Sequence, residues 1–309
     1  MPAGYDALRA AAAWLDLSAR GRIYATGADS ARLLHAMTTN HVQQLRPGTG
    51  CYAFFLNAQG HILADVNLLR LEDRFLLDTE PETRELVYRH LDKYIIADDV
   101  ALEDASEALA CLAAEGPHAA AVLAAIGAAV PDADYVHAPW NGGTVERASS
   151  TGQPGFRIFI PVHAKAEWIE RLESAGAVPA TPDEARTVRL ERGKPRYGED
   201  IFDTTLPQET GQTDAVHFAK GCYLGQEIVE RIRSRGHVNR LLVKLEIEGA
   251  SPLPAGAKIE AEGKESGEVT SSAFSPALGR AVALAYVRAQ HAAAGTVLSA
   301  AGRTAIVGK

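Results

Sequence analysis

At 309 residues the chain is longer than one small core can organise, which predicts two or three domains. Its 47% apolar and 23% charged residues are ordinary for a globular protein, and a net charge of −8 excludes general nucleic-acid affinity, which needs a basic surface to displace counterions. Met1 to Ala13 has no basic stretch leading into an apolar one, no run of about 18 apolar residues occurs, and the three cysteines (Cys51, Cys111, Cys222) are odd in number and far apart, so the expectation is a cytoplasmic protein without leader, membrane span or disulfide framework.

In chain order, Arg22-Ile23-Tyr24-Ala25 reads as a strand, and Asp29 or Ser30 caps a helix carrying Leu33, Leu34 and Met37 at helical spacing. Three apolar strands follow near 51–57, 61–71 and 74–78, with Gly60 in the first turn. Thr79-x-x-Glu82 has the form of a capping box opening a helix through Leu86 and Leu91, and a strand near 99–104 closes the unit. A second unit of similar order begins with a strand at 109–113 and a helix from Pro117. Strands follow at 144–148 and 156–161, then a helix at 164–175 and a capped helix from Thr181 to Glu191 that ends at Gly193. Beyond His237, short strands at 243–248, 258–260, 267–272, 281–287, 296–299 and 303–307 predict a small β-barrel or sandwich. The reading is an α+β protein with two antiparallel-sheet lobes, near 1–108 and 109–236 and possibly intertwined, followed by a C-terminal module at 237–309.

Lys220-Gly221-Cys222-Tyr223-Leu224-Gly225-Gln226-Glu227 packs two glycines, a thiol, a cation, an amide and a carboxylate into eight residues, a mixture that no regular apolar element uses. The glycines predict a tight loop, and Lys220 beside Cys222 is the arrangement that lowers a thiol's pKa. No Cys-x-x-Cys or His-Glu-x-x-His spacing occurs, so no metal site within the chain is expected.

This octapeptide, with Arg231 four residues after Glu227, resembles the signature of the YgfZ family of folate-binding proteins, relatives of the glycine-cleavage T-protein. Asn57-Ala58-Gln59-Gly60-His61 running to Asp65, Arg189-Leu190-Glu191-Arg192-Gly193, Tyr197-Gly198-Glu199-Asp200 and Ala283-Leu284-Ala285-Tyr286-Val287 resemble further family segments in the same order. The resemblance implies a three-lobed cloverleaf with a C-terminal barrel. It implies a tetrahydrofolate-binding protein that assists iron–sulfur enzymes, including those that thiolate tRNA, with folate and iron–sulfur client proteins as partners. Asp65 and Cys222 are then the candidate catalytic residues. Asp65, Glu191, Arg231, Lys220, Tyr223, Gln226 and Glu227 are the candidate folate contacts: the carboxylates suit the N–H edge of a pterin, and the local +3 charge of 220–240 suits an anionic glutamate tail. Asp65 and Glu191 are expected to share one cavity, with Arg231 facing it. Two other readings stay open: a T-protein-type aminomethyltransferase, disfavoured by Cys222 and by Ala64 where the T-protein pattern has a second acid, and a non-catalytic scaffold for client proteins.

Overall fold

The computed structural model describes residues 3–308. Helix α1 (Ala3–Ala10) turns Tyr5, Ala7 and Leu8 inward and leads into β1 (Ala13–Asp16) and β2 (Gly21–Thr26). Helix α2 (Ser30–Met37) follows, then β3 (Thr49–Leu56), β4 (Ile62–Arg70) and β5 (Phe75–Thr79). Next come α3 (Arg84–Asp92), β6 (Ala101–Asp104), β7 (Leu109–Glu115) and α4 (Ala119–Ala125). β8 (His137–Trp140), β9 (Gly143–Glu146), β10 (Gly155–Pro161), α5 (Lys165–Ser174), β11 (Val178–Pro179) and α6 (Pro182–Glu191) complete the second unit. A long irregular stretch reaches α7 (Gln226–Arg235), whose Arg235 side chain lies outside what is described. β12 (Arg240–Ile247), β13 (Lys258–Ala261), β14 (Lys264–Ser275), β15 (Arg280–Arg288), β16 (Val297–Ala300) and β17 (Arg303–Val307) end the chain.

The first sheet is antiparallel in the order β3-β4-β5-β2-β6, and the second runs β11-β1-β7-β10-β9-β8. β1 therefore sits in the second sheet, paired with β7, although it precedes every strand of the first. Conversely, Tyr197, Ile201, Ala215, Tyr223 and Val229 pack on Phe54, Leu56 and Ile62 of the first sheet. Leu69 and Leu76 meet Cys111 and Phe159 where the two lobes join. β5 is buried along its whole length, Asp78 and Thr79 included. The C-terminal strands close into a six-stranded barrel, β12-β15-β14-β13-β16-β17, resolving the barrel-or-sandwich choice.

Two local expectations are corrected. Thr79 ends β5 and caps nothing; a 3-10 turn at Pro81–Thr83 leads into α3 instead. The octapeptide is a loop only as far as Gly225, after which Gln226 opens α7. The capping box at Thr181 forms as the sequence predicts, with the Thr181 amide donating to Glu184 Oε2 over 2.7 Å and the Glu184 amide donating to Thr181 Oγ1 over 3.3 Å.

Candidate functional site

Strand alternation decides which side chains of β4 meet the second lobe. Ala64, Val66 and Leu68 point into the core beneath α2 and α3, so Asp65 and Asn67 point the other way. There they enter a cavity of about 930 Å³, also lined by Tyr52, Arg20, Glu80, Tyr135 and Arg157. That volume suits a ligand of cofactor size. Tyr135 holds a left-handed backbone conformation, φ +62°, which a non-glycine residue adopts only where its surroundings impose it.

Asp65 is 7% exposed. The Tyr52 hydroxyl donates to its Oδ2 over 2.8 Å, while Oδ1 has no partner. Burial and the neighbouring Glu80 charge push its carboxyl up to about 6, against the pull of Arg20, the Tyr52 hydrogen bond and Arg157. Around it runs a buried ion-pair network. Arg20 Nε donates to Asp78 over 2.8 Å, Arg20 also pairs with Glu80, Arg157 pairs with Asp78, and Arg196 Nε reaches Glu80 over 3.0 Å. Burial would raise Asp78 and Glu80, yet these arginines hold both below the usual carboxylate range. The network thus fixes Asp78 and Glu80 as anions and leaves Asp65 as the acid poised near neutrality. The sequence carries a signal for this network: charged residues inside apolar strands, such as Arg157 within Phe156-Arg157-Ile158-Phe159-Ile160.

Of the candidate catalytic and folate-contacting residues, Asp65 alone lines this cavity. Glu191 does not share it. As the last residue of α6 it faces α1 and the end of β14, where it pairs with Arg9 and accepts hydrogen bonds from Tyr5 Oη at 2.6 Å and Ser275 Oγ at 2.5 Å. It ties helices to the barrel. Arg231 is also outside the cavity: on the exposed face of α7, it donates to Glu227 one turn earlier over 2.9 Å, and both side chains are mostly solvated. Gln226 is half-buried at the start of the same helix.

The rest of the octapeptide packs. Lys220 Nζ donates to the carbonyls of His35 and Thr38 (the latter at 2.6 Å) and so caps the end of α2, with burial lowering it to about 8. Tyr223 is buried, its ring under the Lys220 ammonium. Gly225 takes φ +83°, and a Cβ there would stand 2.6 Å from Asn57 O, so only glycine lets α7 start against the β3–β4 hairpin. Cys222 is exposed on this loop, whereas burial pushes Cys51 and Cys111 up to about 12.

Residues 2–220 match the GCVT N-terminal domain, and residues 240–305 match the glycine cleavage T-protein C-terminal barrel domain. The chain belongs to the glycine-cleavage T-protein family. It is 34% identical over 293 residues to an aminomethyltransferase of Rubrobacter xylanophilus, covering 92% of this chain and 78% of the relative. To an aminomethyltransferase of Streptomyces coelicolor it is 33% identical over 306 residues, covering 94% and 82%. The crystal structure of glycine cleavage system aminomethyltransferase T from Bartonella henselae superposes with a TM-score of 0.88 at 26% identity, covering 98% of this chain and 86% of that one. These relatives overturn the expectation of an iron–sulfur and tRNA-modification factor of the YgfZ type. The octapeptide that suggested it does structural work here, capping α2 and seating α7. No helix among the described residues is long and apolar enough to cross a membrane.

Proposed function

We propose that this T-protein family member is an aminomethyltransferase, which moves the methylene group of an aminomethyl unit carried on a lipoyl protein to tetrahydrofolate. In that reaction the carbon–sulfur and carbon–nitrogen bonds of the carrier break, two folate nitrogens each form a bond to the carbon, and their two protons leave with the thiol and with ammonia. The observation that carries the reading is Asp65: a buried, cavity-lining carboxylate with one oxygen anchored by Tyr52 and the other without a partner. A general base needs a lone pair that no other group occupies and a pKa near working pH, and Asp65 at about 6 has both. The donor set suits the substrate, because a folate N–H placed against Oδ1 would satisfy an oxygen otherwise buried at a cost.

Asp65 accepts the proton that the attacking nitrogen sheds; Tyr52 holds the carboxylate in place, and Arg20 and Arg157 stabilise its charge. Tyr52 and Tyr135 supply flat apolar faces for the pterin ring. The cavity arginines Arg147 and Arg196 replace Arg231 as partners for the anionic glutamate tail. The three unpaired cysteines fit a cytoplasmic setting.

Calorimetric titration with tetrahydrofolate tests the binding half. The wild-type chain should bind one equivalent, and Asp65→Ala should bind more weakly by on the order of tenfold, the worth of one hydrogen bond to a charged group. Full-strength binding by Asp65→Ala together with Tyr135→Ala would place the folate site elsewhere.

A further inference from the structure

Beside the Asp65 cavity one buried acid has no partner. Glu146 ends β9 with no exposed surface, and neither of its carboxylate oxygens has a hydrogen-bond partner. In the β9–β10 register it stands opposite Arg157, and in the β8–β9 register opposite His137. Directly opposed residues of antiparallel strands project from the same face, with Cβ atoms about 5 Å apart. Arg157 gives Nη1 to Asp78, while its buried Nε has no partner. A cation with one arm taken and one free thus stands beside an acid with both oxygens free, and that cation lines the cavity.

We propose that Glu146 is a positioning residue for this cavity, competing with Asp78 for the Arg157 guanidinium. The identity of the ligand affected rests on the folate reading above; the competition does not. Uncharged, Glu146 leaves Arg157 on Asp78, the arrangement the structure shows. Ionised, it draws Arg157 back through the free Nε and removes one of the cations that stabilise the Asp65 carboxylate. The change falls in the neutral range: burial pushes Glu146 up to about 7, with Asp78 adding to it and Arg157 and Arg20 pulling against it. The other titratable groups around it stay uncharged there. Burial raises Cys51 and Tyr135 to about 12 and lowers His137.

Tetrahydrofolate binding by calorimetry at pH 6.5 and pH 8 tests this on wild type, Glu146→Gln and Glu146→Met. If only the chain with uncharged Glu146 is binding-competent, the wild type weakens by up to about eightfold at the higher pH, in proportion to the competent fraction. Both variants, unable to ionise at this position, should bind equally at the two pH values. A variant that keeps the wild-type loss, or a wild type that shows none, overturns the proposal. Should no protein bind tetrahydrofolate, the folate reading fails, and thermal unfolding still decides the Glu146 question. A carboxyl raised in the fold costs stability as pH climbs through the interval from its unfolded value to about 7. The melting temperature of Glu146→Gln should therefore gain on the wild type between pH 5 and pH 8, and a gap that does not change with pH overturns the proposal.

Discussion

Asp65 is placed where a carboxylate is costly, and its Oδ1 is buried without a partner. Because its folded pKa is raised, the sign runs opposite to an ordinary surface acid: the ionised form is disfavoured, and stability falls as pH rises from about 4 towards 6. Asp65→Asn should therefore unfold at a higher temperature than wild type at pH 7, the difference shrinking at pH 4, with a gain on the order of 3 kcal/mol; differential scanning calorimetry at the two pH values checks it. The same variant should lose about 10²- to 10⁴-fold in transfer rate, the range a general base contributes. Tyr52 donates to the ionised carboxylate and lowers its pKa, so Tyr52→Phe should move the acid limb of the rate profile to higher pH without abolishing activity. Thiol labelling distinguishes the cysteines: exposed Cys222 should react in the native state, and Cys51 and Cys111 only after unfolding.

Among elements, the octapeptide is best described as a clasp. Lys220 closes the end of α2, Leu224 N donates to Ala36 O over 3.1 Å, and Gly225 seats α7 against the hairpin whose second strand carries Asp65. Lys220→Met should leave two buried carbonyls without a donor and cost about 1–3 kcal/mol in urea unfolding, whereas Arg231→Ala, which breaks an exposed pair, should cost under about 0.5 kcal/mol. This segment also marks how far the sequence could be read. The strands other than β1, β8 and β11, the Thr181 cap and the barrel were legible because period, glycine placement and capping chemistry are local. Asp65 was legible because a carboxylate in an apolar strand needs a reason. Glu191 was misplaced because a helix-terminal acid reads the same whether it faces a ligand or, as here, Tyr5 and Arg9 of α1 and Ser275 of β14. Tyr52, Asp78 and Arg157 converge only through sheet register and the meeting of two lobes, which no local pattern encodes.

At the scale of the whole molecule, the two sheets and the barrel are joined through residues 189–200. Asp200, fully buried, takes Arg189 at 2.5 Å, the Arg196 amide at 3.1 Å and, from barrel strand β14, Thr270 Oγ1 at 2.7 Å. Asp200→Ala leaves Arg189 without this partner in the interior and should cost about 3–5 kcal/mol, read as a shifted urea midpoint. The barrel reaches the cavity through this joint, since Arg189 and Glu199 both line it. The agreement with a T-protein fold at a TM-score of 0.88 extends over this whole arrangement and not one lobe alone. The direct measurement is turnover: the purified chain, tetrahydrofolate and an aminomethylated lipoyl protein, with release of ammonia and formation of methylenetetrahydrofolate followed together. The account predicts stoichiometric formation of both by the wild type, and a rate lowered at least about a hundredfold in Asp65→Asn. Tetrahydrofolate that binds without any release of ammonia, or an Asp65→Asn variant as fast as wild type, would contradict it.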